Sequence, residues 1–350
     1  MTRKRSSYNK NISSEQEDHF LLNEDNDSTP DDNSFTESNS ALSNSVNTDS
    51  LKLENTEMIS NPSLTEIESD IPSINLHFVS SHRSKDGKSF FVKTVAHYCE
   101  SQGKPIILVD CDRTNPDVSN VYKQAERVFF SENRETENEP DAILEWAMER
   151  NLPVLINLPG SVHELVTAWI DRTLVPIIVE NASLRGDARP EVNVQIYNWY
   201  LCNGEQPSLN LFLESLNYFG GCVQHILVRN YGLSSNWKLL EDCEDLKRFS
   251  YSNTTQPQES SSSNCDDVQI KDRHGLPIKK VLQIDLPSLS TQERNRLNRE
   301  ELTFAQTLVK PSSNGLTPEG YKAWPIWSRQ RIVDFLKKAS VALDSTQLWV

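Results

Sequence analysis

From residue 74 onward, short apolar runs alternate with longer amphipathic stretches, the texture of β/α alternation and of a mostly parallel sheet. Six runs predict strands, at 74–80, 105–110, 153–158, 174–179, 224–229 and 281–285. Several are continuously apolar rather than alternating, as strands covered on both faces are. Between them the 3.6-residue period predicts helices at 88–100, 141–150, 162–172, 209–219 and 237–249, and two more follow at 290–308 and 326–343. In the last, Ile332, Phe335, Leu336, Ala339 and Leu343 share one face, with Lys337 and Lys338 opposite. That face suits a helix docked on a sheet; a surface-seeking membrane helix is the alternative.

Two stretches break the rhythm. Residues 181–207 are long for a connection, and Val192, Val194 and Ile196 alternate there with polar residues, so an inserted extra strand or hairpin is expected. Residues 250–280 begin with SNTTQPQESSSSN and read as a low-complexity surface insertion. Ahead of the alternating region, residues 1–72 are rich in Ser, Asn, Asp and Glu and poor in large apolar residues. Such a stretch cannot offset its ordering entropy and is expected to be a disordered acidic tail. The expected organisation is thus a tail at 1–72 and one α/β domain at 73–345, a mostly parallel sheet flanked by helices in three layers.

Charge sharpens this division. Of the formal −15, the first 72 residues carry 15 acidic against 5 basic residues. The rest is only mildly acidic, which argues against strong whole-chain attraction to nucleic acid or anionic lipid. A nucleotide-independent nucleic-acid surface would have to use Arg294, Arg296, Arg299, Arg329, Arg331, Lys337 and Lys338, which read more simply as solvated helix faces. No apolar run approaches the ~20 residues that span a bilayer, and Arg3-Lys4-Arg5 has no apolar stretch behind it. The six cysteines are dispersed, without a CxxC pair. These features lead us to expect a cytoplasmic protein with reduced thiols and no integral membrane contact.

The candidate chemistry lies in SSHRSKDGKSFF, residues 80–91. A phosphate loop works because consecutive backbone N–H groups and a helix N-terminus converge on one oxyanion, while a Lys neutralises charge and a Ser or Thr ligates magnesium. Gly87-Lys88-Ser89 matches the end of that pattern, follows a strand and opens a helix, although His82 stands where the first glycine belongs. An ordinary strand–turn–helix corner is the other reading.

Four stretches taken in order, HFVSSHRSKDGKSFF, IILVDCDRTNPDVSNVY, VLINLPGSV and HILVRNYG, resemble the ParA/MinD group of deviant phosphate-loop ATPases, including its plasmid-mobilisation relatives. The resemblance covers roughly residues 74–343 outside the two insertions. It implies a P-loop NTPase-like fold, ATP and Mg²⁺ as ligands, and a nucleotide-dependent homodimer. Ser84, Lys85, Asp86, Gly87, Lys88, Ser89 and Phe90 would surround the phosphates. Arg83 would stand in for the family lysine that reaches the partner's nucleotide, while Ser84 and Lys85 replace two glycines. Asp110 would sit near the magnesium shell with Ser89, and Asp112 would orient the attacking water. The family's strand-end aspartate is Asn157 here, a neutral amide that cannot accept a proton. Asn230 would bond the adenine ring, and Pro287 would lie beside it. The implied activity is a weak or absent Mg-dependent ATPase acting as a switch in plasmid partition, mobilisation or cargo positioning, with a protein partner, or DNA through one. The alternative is a pseudo-ATPase scaffold that no longer binds nucleotide; Asp187 and Glu180 are candidates to compensate for Asn157.

Overall fold

The computed structural model describes residues 71–160, 162–186, 188–250 and 270–349. The expected tail up to Asp70, most of the low-complexity insertion, and Asp187 lie outside the described residues.

Seven parallel strands form one sheet in the order β3-β2-β4-β1-β5-β6-β7. They are β1 (Ser73–Ser81), β2 (Ile107–Asp110), β3 (Glu126–Arg127), β4 (Val154–Asn157), β5 (Asn193–Cys202), β6 (Val223–Asn230) and β7 (Leu282–Leu286). β1 lies at the centre, with Leu76 opposite Val154 on one side and Ile196 on the other. Helices cover both faces, as the continuous apolar runs require. On one face α1 (Lys88–Ser101), α8 (Thr291–Glu300), α9 (Phe304–Leu308) and α10 (Ile326–Asp344) pack on Val79, Leu155, Trp199 and Val228. On the other, α2 (Ala142–Arg150), α3 (His163–Trp169) and α4 (Val175–Ser183) pack on Phe78, Val109, Ile156 and Ile196. The same face continues under α5 (Gln206–Phe219), α6 (Lys238–Glu241) and α7 (Glu244–Ser250).

Two expectations are corrected. The β-branched run at 174–179 is not a strand: a π-helical turn (Ile170–Leu174) leads straight into α4. Pro176 explains the choice, because a proline fits the first turn of a helix but would delete a ladder hydrogen bond inside a parallel sheet. Residues 181–207 do hold the expected extra strand, though inside the sheet rather than as an insertion. They supply β5, which pairs along the whole of β1. The alternation at Val192, Val194 and Ile196 was its signal.

The helix expected at 290–308 is broken. Glu301 takes a left-handed conformation at φ 48°, and Thr303 restarts the chain as α9 with a reciprocal Thr303–Gln306 capping box. The apolar stripe of α10 is buried on the sheet face, so the surface-seeking alternative falls. No helix among the described residues is long and apolar enough to cross a membrane. At the N-terminal end of the sheet, Trp349 stacks on buried His77 with ring centroids 3.9 Å apart, and the Lys104 ammonium holds the Trp349 carbonyl.

Candidate functional site

The connection from β1 to β2 runs through α1 on one face, and the connection from β4 to β5 runs through α3 and α4 on the other. Adjacent strands whose crossovers leave in opposite directions open a crevice at their C-terminal ends. The loop between β1 and α1 sits at that point, and the ends of β2, β4, β5 and β6 surround it.

Gly87 is the hinge of the loop. At φ 94° it occupies the left-handed region that favours glycine, and a Cβ there would stand 2.9 Å from the Asn230 amide nitrogen. Its carbonyl accepts from Phe91 N at 2.9 Å, which starts α1. Asp86, buried just before it, folds the loop on itself. One carboxylate oxygen accepts from Arg83 N at 2.8 Å, and the other accepts from Asn203 Nδ2 at 3.3 Å. Lys88 is also buried, and its ammonium donates to Ser81 Oγ and to the Arg83 carbonyl, each at 3.0 Å. Burial holds this amine below the usual lysine range, opposed by the negative charges of Asp86 and Asp112. The lysine expected to meet phosphate therefore spans the mouth of its own loop.

Other expected groups fall in different places. Arg83 pairs with Glu205 of the same chain, both side chains about half exposed. Ser84 and Lys85 are exposed, and the Ser84 backbone lies so close to the turn after β4 that a Cβ on Gly160 would come within 2.7 Å of it. Phe90 turns away from the loop, with its ring 5.3 Å from Phe335 and 5.8 Å from Phe304. Pro287 lines an open groove with Tyr231, Asp285 and Lys338, in which no loop residue takes part. Asn230 is beside the loop, but its amide is engaged: Nδ2 donates to the Asp86 carbonyl at 2.8 Å, and Oδ1 accepts from Gly232 N at 2.9 Å.

Asp110 and Asn157 end neighbouring strands and meet behind Ser89. Asp110 is fully buried and saturated. One oxygen accepts from Val118 N and Ser119 N at 3.1 and 2.9 Å, and the other from Asn157 Nδ2 at 2.9 Å and Asp112 N at 3.3 Å. Asp112 accepts from Thr114 N, Thr114 Oγ1 and Asn115 N, a turn that fits the simpler reading of the DRTNPD segment. Asn157 differs. Its nitrogen faces Asp110 and, at 3.4 Å, Ser89 Oγ, while its buried Oδ1 has no partner. Turning the amide over would set that oxygen against the Asp110 carboxylate, so the charge fixes its orientation.

A buried acceptor without a donor costs ~1–3 kcal/mol unless something supplies a proton or a positive charge. The Asn157 oxygen and the Ser89 hydroxyl are the oxygen donors that a hard cation takes, so the residues fit magnesium carried in with phosphates. Among the described residues no cluster of three or more His, Cys, Asp or Glu could hold a metal unaided. Glu180 lies exposed on α4, and the Asn157 oxygen takes no hydrogen bond from it.

Sequence reasoning missed Asn203, Glu205 and Gly160. The first two follow directly on β5, the strand it had placed in an insertion, so their approach to the loop had no signal. Gly160 stood in the quoted LPG turn. Compared with known proteins, the chain matches no family model and no curated protein.

Proposed function

We propose that the chain is a nucleotide-binding switch of ParA/MinD type that takes Mg-ATP at the Gly87–Ser89 turn and hydrolyses it slowly or not at all. One observation carries the reading: the unpartnered, buried oxygen of Asn157, whose amide nitrogen lies 3.4 Å from Ser89 Oγ at the start of a helix whose first residue is a lysine. A magnesium–phosphate group would satisfy that oxygen and draw Lys88 off its own loop. The backbone N–H groups of the first turn of α1 are oriented to receive phosphate oxygens. Bound magnesium would supply charge neutralisation at the phosphates. Weak turnover follows from two groups of this chain: Asn157 cannot take a proton, and Asp112 already closes its own turn. Losing a charged interaction of this kind costs ~1.5–3 kcal/mol, about ten- to a hundredfold in rate. The resemblance extends the proposal to a cytoplasmic, nucleotide-dependent homodimer serving plasmid partition, mobilisation or cargo positioning, with a protein partner, or DNA through one.

Calorimetry of Mg-ATP with wild-type protein and Lys88→Ala, followed by phosphate release, tests this. Binding that Lys88→Ala weakens at least tenfold, with turnover well below one per minute, is the expected result. A second reading, a scaffold without nucleotide, is favoured by Lys88 lying on loop oxygens and by Arg83 paired to Glu205. Absence of binding at millimolar ATP selects it.

A further inference from the structure

A partly enclosed cavity lies under α3 and α5, against the face of β1 and β5. Gly87, Lys88, Ser89 and Asn157 take no part in its wall, so it is a separate space from the crevice at the loop. The centre of a water-sized sphere can move through about 50 Å³ of it, whereas one buried water needs ~10–15 Å³. Protein interiors hold few voids of that size, because close packing fills them.

Two local features accompany the opening. α3 runs into the π-helical turn Ile170–Leu174, and Ile170 belongs to the wall. Such a turn is wider than an α turn and is frequent where a helix borders a functional site. The second feature is Asn198. A central strand of a parallel sheet is covered on both faces and is ordinarily apolar throughout. Here an amide stands in the middle of β5, in register with Phe78 of β1. Its Oδ1 accepts from Ser80 Oγ at 2.5 Å, and its Nδ2 makes no hydrogen bond among the described residues.

Other polar groups of the wall are spent. Tyr200 donates its hydroxyl proton to the Ser208 carbonyl at 2.8 Å. Burial holds His225 down at about 4, so its ring is neutral; Nδ1–H goes to the Val223 carbonyl, and Nε2 takes the Ser215 proton at 3.0 Å. The remaining lining is mainly apolar and includes Val166, Leu211 and Phe219. It contains no Lys, Arg, Asp or Glu, and His163 stands at its exposed rim. A charged molecule would lose its hydration there and gain no counter-charge.

We propose that this cavity is a binding site for a small neutral molecule, a single aromatic ring bearing one hydrogen-bond acceptor that meets Asn198 Nδ2. The ring exchanges empty space for contacts with Phe78, Phe219 and the aliphatic wall, and the acceptor satisfies the open amide. An apolar hollow with few placed polar groups is the usual form of a small-molecule site. The inference is independent of the nucleotide reading and stands or falls without it.

Acetophenone, toluene and benzoate are the probes: one ring with a neutral acceptor, with none, and with a charge. Each is titrated up to its solubility into the full chain labelled at Ile, Leu and Val methyl groups. Binding is read from the resonances of Val166, Ile196 and Leu211, and thermal unfolding checks that each variant folds. Acetophenone is expected to bind, toluene about fivefold more weakly, and benzoate not at all. Asn198→Ala should bring acetophenone and toluene to equal affinity. Val166→Phe sets a ring in the cavity and should abolish binding of both; if it does not fold, Leu211→Phe fills the space from α5. No response to any probe makes the cavity a packing void and overturns the proposal. So does benzoate binding as tightly as acetophenone, a toluene difference indifferent to Asn198→Ala, or binding that survives the filling variants.

Discussion

Asp110 and Asn157 stand side by side, 2.9 Å apart, at the ends of adjacent parallel strands, and both are almost wholly buried. Their situations are nevertheless opposite. Asp110 accepts from Val118 N, Ser119 N, Asp112 N and the Asn157 amide. Asn157 is neutral, gives its nitrogen to Asp110 and keeps a bare oxygen. A buried polar group that is fully partnered belongs to the architecture; one left open points to something that comes and goes. One strand end here fastens the 111–119 segment to the sheet, and its neighbour leaves a buried acceptor open.

The most drastic way to break the contrast is to remove the closed partner. Asp110→Ala strands the Val118 and Ser119 N–H groups and the Asn157 amide in a dry corner, and should cost ~3–5 kcal/mol in urea unfolding. A loss below ~1 kcal/mol would mean that water reaches the corner and that it is not closed at all.

Acid probes two other closed groups. Burial holds His77 at about 3 and His225 at about 4, against 6.5 when free. Both imidazoles are neutral in the fold, so the unfolded chain takes up protons first as pH falls. Their contribution is intact above about pH 6.5 and drains away as pH falls toward 4 for His225, by up to ~3 kcal/mol, and toward 3 for His77, by up to ~5 kcal/mol. Chemical denaturation across that range should trace the decline, and His225→Gln should flatten its upper part.

Asn157→Asp sharpens the contrast by making the two strand ends alike. Two facing carboxylates should destabilise the metal-free protein by ~2 kcal/mol. Millimolar magnesium should restore much of that, raising the unfolding midpoint of the variant far more than that of the wild type. Equal midpoints with and without magnesium would place the open oxygen away from any cation position. The smallest effect belongs to the rim. The Arg83–Glu205 pair is about half exposed, so Arg83→Ala should change stability by less than ~0.5 kcal/mol. Its interest is in binding: an Arg83 that must leave Glu205 for a second chain would make dimerisation weaker in the variant by light scattering, with nucleotide present.

The parts of the fold legible in the sequence were those where one local property decides. The apolar runs of β1, β2, β4, β6 and β7 and the stripe of α10 announced themselves. The exchange between 174–179 and β5 shows where that fails. Val175, Ile177, Ile178 and Val179 look like strand residues, and only Pro176 speaks against them. In β5, Gln195 and Asn198 dilute a central strand until it resembles an edge. At the site, Gly87, Lys88 and Ser89 were readable from order along the chain, and so was the missing charge at Asn157. The openness of the Asn157 oxygen was not, because it depends on which way Asp110 turns the amide. Nor was the engagement of Asn230, which depends on a loop far away in sequence.

The central position of β1 also sets a timetable. The loop between β1 and α1 is braced by Asn203 and Asn230, 117 and 144 positions beyond Asp86. A nascent chain that has delivered β1, the loop and α1 holds the whole GKS motif and none of its supports. β1 remains without its β5 neighbour until more than a hundred further residues have emerged, a long-range pairing of the kind that slows folding. The site thus cannot take shape during synthesis before Asn230 has emerged, and a chain cut short anywhere before that residue would carry the motif without the shape that gives it meaning.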